Sequence, residues 1–184
     1  MARKLALVAF AFLLVPAALG AQTERKDFQI FTDVGARIER YVRYSVFDDV
    51  NIGVDAGVVT LTGRVTMPFK VEDIGRLAVG VEGVKAVSNQ LQVLPVSFFD
   101  DELRDRIARA IYNNPSFWQY ASMVNPPIHI IVERGHVTLT GVVQSNVERA
   151  LARTLALSSN AFSVENKLRT DAEAQADLEK IRSD

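Results

Sequence analysis

The side chains best suited to chemistry are few, and none falls in a pattern with a mechanism. His129 and His136 are the only histidines in 184 residues, and cysteine is absent. That absence removes thiol nucleophiles, thiolate metal sites and disulfides together. In a hairpin over residues 128–143, His136 falls opposite Glu133 and His129 opposite Thr140. The two rings are then more than ~10 Å apart at about 3.4 Å per residue, too far to share one metal, and both are expected on the surface. No serine has a histidine and an acid placed beside it by any motif, and no glycine-rich phosphate loop is present. The adjacent acids Glu72-Asp73 and Asp100-Asp101-Glu102 fall at expected helix starts, where they favour the helix dipole. Neither an enzyme nor a metal or other cofactor is expected.

Two clusters could bind rather than react. The segment from Tyr112 to Pro127 holds the only tryptophan and reads YNNPSFWQYASMVNPP. Its Phe117, Trp118, Tyr120 and Met123 either meet a bilayer at headgroup level, as amphipathic rings do, or close the end of a small core. Arg37, Arg40 and Arg43 recur every three residues on an expected helix with only Glu39 opposing them. They form either a solvated face or a contact for anionic headgroups, where each cation contributes about 1 kcal/mol. Arg104, Arg106 and Arg109 are largely cancelled by Asp100, Asp101, Glu102 and Asp105.

The elements that position these residues come in two copies. GVVTLTGRV (57–65) is answered by GHVTLTGVV (135–143) at a spacing of 78, and VSNQL (87–91) by VENKL (164–168) at 77. A two-residue turn at Ala56-Gly57 sets Val54 against Val59, Ile52 against Leu61 and Val50 against Gly63. The second copy pairs Val132 with Val137, Ile130 with Leu139 and Ile128 with Gly141, so both hairpins choose the same buried face. Gly63 and Gly141 then face inward, where a covering helix is expected to approach. Helical spacing follows each hairpin, at Val71, Ile74, Leu77 and Ala78 and again at Leu151 and Leu155. A third alternating strand comes next, at 87–94 and 164–170. A helix also precedes each hairpin. The first is expected to be capped at Thr32 or Asp33 with Ile38, Tyr41 and Val42 inward, the second capped at Ser97 with Phe99, Leu103, Ile107 and Ile111 inward. The expected fold is α+β, two tandem two-layer α/β sandwiches, each helix-strand-strand-helix-strand with a three-stranded mixed sheet. The units span 33–94 and 101–170, joined by a short linker at 95–100. A charged tail, 171–184, reads as a frayed helix or disordered end.

The chain opens with Arg3 and Lys4, an apolar run from Leu5 to Val15, and small residues ending at Ala21. This is the pattern of a signal peptide over residues 1–21, too short in its apolar part to span a bilayer. Cleavage there leaves 163 residues and, with Arg3 and Lys4 gone, lowers the formal charge from −1 to −3. A chain so mildly acidic has no global attraction for nucleic acid, and any anion binding must be local.

Repeats of the form VxVxxGxVTLTGxV, a helix, then GVxxVxNxL resemble BON domains. The first copy carries the pattern in Val50, Ile52, Val54, Gly57, Val59, Leu61, Gly63, Gly83, Val84, Val87, Asn89 and Leu91. The second has Gly135 and Gly141 in place, but Asn160-Ala161 stands where Gly-Val is usual. Asn is the side chain that best replaces Gly in a left-handed turn. The resemblance implies a non-enzymatic periplasmic module that binds anionic phospholipid surfaces or serves the envelope under osmotic stress. The alternative is a protein-interaction or chaperone-like role toward envelope proteins.

Overall fold

A computed structural model describes residues 26–183, so the expected leader over residues 1–21 lies outside the described residues. The first unit runs α1 (Asp27–Glu39), β1 (Asp49–Asp55), β2 (Val58–Val65), α2 (Pro68–Val79) and β3 (Ala86–Val93). β1 pairs antiparallel with β2, and β3 lies parallel to β2, in the order β1-β2-β3. The second unit repeats this with α3 (Phe98–Tyr112), β4 (Ile128–Glu133), β5 (His136–Val143), α5 (Asn146–Leu157) and a third strand split into β6 (Ser163–Asn166) and β7 (Arg169–Thr170). A 3-10 turn, Pro115–Phe117, and the short α4 (Trp118–Ala121) lie between α3 and β4, and α6 (Asp171–Ser183) closes the chain.

Both hairpins take the register read from the sequence, with Val50 opposite Gly63 and Ile128 opposite Gly141. Their turns are left-handed at both residues, with φ of 48° and 80° at Ala56-Gly57 and 53° and 78° at Arg134-Gly135. Such turns match the strand twist. Each is held by an acid from the helix in front. Asp27 accepts the amides of Ala56 and Gly57, and Asp100 those of Arg134 and Gly135, at 2.7–2.8 Å. The repeated Asn is explained too. Asn89 donates to Val71 O and accepts the Leu91 amide; Asn166 does the same with Arg149 O and Leu168, pinning strand three to the helix before it. Asn160 adopts φ 64°, as a glycine substitute there requires.

Several expectations are corrected. α1 starts at Asp27, because its buried stripe is Ile30, Val34 and Ile38 at four-residue spacing, and it ends before Tyr41 and Val42, the latter 93% exposed. Asp100, not Phe99, takes the inward position at the start of α3, since it must reach the turn amides; Phe99 stacks outside on Phe162 at 6.1 Å. Arg104 is buried and donates to Val132 O at 2.6 Å, so it is no solvated cation. Of the two forms expected for the tail it takes the helix, started by a reciprocal cap between Thr170 and Glu173 and held by Arg149–Glu173 and Arg169–Asp177 pairs. What approaches the inward glycines is backbone of the neighbouring chain segment, not a helix: a Cβ on Gly63 would lie 2.1 Å from Asp49 O, and one on Gly141 1.8 Å from Pro127 O.

The loop before β1 joins the two units. Val46 O accepts the Ile130 amide at 2.7 Å, Thr140 Oγ1 donates to Asp49 at 2.8 Å, and Phe47 packs on the second core. His129 is correspondingly not a surface residue. Its Nδ1 is shielded from solvent and its ring lies 5.4 Å from that of Tyr44. Burial holds the imidazole below its usual 6.5, against the opposing pull of Asp48 and Asp49. The folded state thus disfavours the proton. Stability is level above the unfolded value and falls as pH drops through 6.5 toward the lowered folded value. Melting is expected at a lower temperature at pH 5.5 than at pH 7.5, with much of the difference removed in His129→Phe. An unchanged pH dependence in that variant would show that His129 is not the group responsible.

Candidate functional site

The aromatic segment divides between core and surface. Asn114 caps the 3-10 turn through its side chain, which drives Phe117 fully into the second core. Tyr120 is buried beside it, donates to Glu148 at 2.7 Å and accepts the Gln144 amide; burial, with Glu148, pushes its hydroxyl up to about 12. Phe117 and Tyr120 are therefore unavailable to a ligand. They fix the segment so that Trp118 stands 74% and Val124 97% exposed, with Met123 half-exposed between them.

The three arginines do not form one stripe. α1 ends at Glu39, and turns at Tyr41 and Tyr44 redirect the chain, so spacing of three no longer keeps them on one face. Arg37 donates weakly to Leu77 O at 3.5 Å, beside Tyr41, Asp73 and Arg76. Tyr41 donates to Asp73, which lowers the carboxyl's pKa, and the Tyr41 hydroxyl rises to about 12 through burial and that carboxylate. Arg43 lies 5.0 Å over the Phe69 ring. Arg40 is the C-cap of α1 and follows Glu39, whose carbonyl accepts from Asn125 of the aromatic segment across the junction.

Sequence reasoning missed the apolar residues that complete this surface. Val42, Met67 and Phe69 in the first unit, and Val147 in the second, are all exposed. They lie, like Trp118 and Val124, at the end of each unit where β1 or β4 begins and β2 or β5 ends. The legible signal was a large apolar residue outside any core period, such as Val124, whereas Val42 falls within the period expected for the first helix.

A cleft of about 1170 Å³ separates α1 and β1 from the outer face of β4 and β5, lined by Phe28, Phe31, Ile131, Thr138 and Leu178 among others. Its charges are mostly paired within the protein, as in Arg64–Glu133 and Arg169–Asp177. Among the described residues no group of three His, Cys, Asp or Glu side chains could hold a metal, and no helix is long and apolar enough to cross a membrane.

Two layered α/β units of one topology in tandem define a duplicated α+β protein. The sequence model of the BON domain matches residues 26–95 and again 99–172, and the chain belongs to that family of non-catalytic binding domains. Among solved structures it is similar to CdsD, a structural protein of the type III secretion system of Chlamydia trachomatis, at 11% identity over 82% of this chain and 97% of that one, with a TM-score of 0.30. The C-terminal domain of CdsD is similar at 12% identity over 74% of this chain and 96% of that one, TM-score 0.26. No curated protein matches the sequence.

Proposed function

We propose that this chain is an exported, periplasmic module that associates peripherally with anionic phospholipid surfaces, in support of the envelope under osmotic stress. The observation that carries this reading is Trp118. It stands in solvent on an insertion that only the second unit has, while its neighbours Phe117 and Tyr120 are locked in the core. Trp118, Met123 and Val124 enter the interface, where amphipathic rings are stable. Arg40 and Arg43 meet the headgroups, and Arg37, turned toward α2, contributes less. Membership of the BON family supports a membrane or envelope setting.

Trp118 is the only tryptophan, so its fluorescence reports the contact without labelling. Emission is expected to shift blue on adding anionic vesicles but not neutral ones. Trp118→Ala should weaken binding about tenfold, near 1.4 kcal/mol, while changing stability by less than about 0.5 kcal/mol. Arg40→Gln with Arg43→Gln should weaken it further at low salt, by about 1 kcal/mol for each charge. Blue emission in buffer, no response to vesicles and an unfolded alanine variant would together assign Trp118 to the core.

A second reading, protein interaction of a chaperone-like kind, is favoured by a separate aromatic group. Phe98 and Phe162 are 79% and 72% exposed, and Phe99 stacks on Phe162 near the second hairpin turn. Binding there would be insensitive to salt, unlike headgroup attraction.

A further inference from the structure

We infer that the free edge of β3 pairs with the same edge of a second copy of this chain. In a parallel pair, successive residues turn their amide and carbonyl alternately toward and away from the neighbouring strand. Leu94 donates to Val65 O, so Val87, Asn89, Leu91 and Val93 face away from β2. Of their amides, that of Leu91 is met locally, by Asn89 Oδ1.

The equivalent edge of the second unit shows how this fold closes such a strand. There Lys167 donates to Leu139 O, which turns Leu168 and Thr170 outward. The Leu168 amide bonds Asn166, its carbonyl receives Arg149, and the Thr170 amide bonds Glu173 of α6. The strand is also broken after Asn166 and carries Glu165, Lys167 and Arg169. Interruption, charge and a covering helix are the devices that keep edges from pairing. Among the described residues β3 has none of them. It runs eight residues unbroken, and no charged residue occurs from Ala86 through Phe99.

That neutrality selects the occupant. A charged peptide would find no counter-charge along the edge, whereas two copies related by a two-fold axis oppose no like charges. With Gln90 on the axis, Val87 faces Val93 of the second copy in a hydrogen-bonding pair, and Ser88 faces Gln92 on the solvent side. The two three-stranded sheets become one of six strands.

The test uses the lack of cysteine. In this register the two Gln90 Cα atoms form a non-hydrogen-bonded pair at about 4.5 Å, within disulfide reach. Gln90→Cys should cross-link to a dimer under mild oxidation, while Thr60→Cys, on the same face of the central strand, should not. Light scattering should give twice the monomer mass for the wild-type protein and the monomer mass for Gln90→Lys, which opposes two cations on the axis while leaving the β2 ladder intact. A monomeric wild type up to about 1 mM, or equal cross-linking of both cysteine variants, would overturn the inference.

Discussion

Gly141→Val is expected to unfold the second unit at temperatures where the wild type is intact, and Gly63→Val to do the same in the first. Each glycine sits at positive φ, 109° and 127°, where a β-branched residue is strained by about 1–3 kcal/mol before any contact is counted. Each new Cβ also meets a backbone carbonyl at about half a normal contact distance, 1.8 Å from Pro127 O or 2.1 Å from Asp49 O. A carbonyl cannot swing aside as a side chain can, so the strand itself must move. We expect a loss of at least about 4 kcal/mol, placing these among the severe point mutations. For a unit of this size that is a fall in melting temperature of roughly 15 °C or more. Gly53→Ala is the control: it lies in β1 with nothing nearer than 4.0 Å to an added Cβ, and it should be neutral or slightly stabilising. Calorimetry on the three variants decides the matter. A Gly141→Val protein melting with the wild type would mean that the hairpin does not pass so close to Pro127.

The fold was legible because its determinants repeat. Two copies of the hairpin select one register, and either alone would have been a weak signal at Ala-Gly or Arg-Gly turns. Which atom crowds the inward glycines was not legible, since side-chain alternation specifies the face of a strand and says nothing of its backbone angles. α1 was misplaced for a related reason. The stripe Ile30, Val34, Ile38 extends toward the leader, and reading the helix from Thr32 let Tyr41 and Val42 extend the pattern past its true end. That error created the apparent arginine stripe.

The candidate surface was half legible. Composition pointed to the aromatic insertion, but adjacent aromatics such as Phe117 and Trp118 cannot be sorted into buried and exposed without knowing how Asn114 caps the turn before them. The junction was invisible, because the Asn125 side chain and the Ile130 amide both donate to backbone carbonyls of the other unit, Glu39 O and Val46 O, contacts that no periodicity records. Lys70 did leave a trace: it falls four residues before Ile74 and eight before Ala78, on the buried stripe of α2, where an unpaired lysine would be untenable.

Its partner supplies the second large effect. Asp48 is fully buried and accepts five hydrogen bonds: from the amide and hydroxyl of Ser45 at 3.0 and 2.8 Å, the amide and hydroxyl of Thr66 at 2.8 and 3.0 Å, and Lys70 Nζ at 2.6 Å. Asp48→Ala is expected to cost about 3–5 kcal/mol, because it strands a buried ammonium together with two amides. Removing both charges in Asp48→Ala with Lys70→Met should cost less than the two single losses combined, a coupling of about 0.5–3 kcal/mol in a double-mutant cycle. The exposed pair Arg76–Glu72 is the contrast; Glu72→Ala should change stability by under about 1 kcal/mol. A further consequence separates this ion pair from ordinary core packing. Asp48 pins the loop that carries Tyr44, Val46 and Phe47 onto the second unit, so its loss should also release the junction at which Asn125 of the aromatic segment meets Glu39 O, next to Arg40. At a temperature where Asp48→Ala is still folded, anionic vesicle binding should fall and approach that of Arg40→Gln. Vesicle binding that survives in a destabilised Asp48→Ala protein would mean that the second unit alone makes the lipid contact and that the junction is dispensable for it.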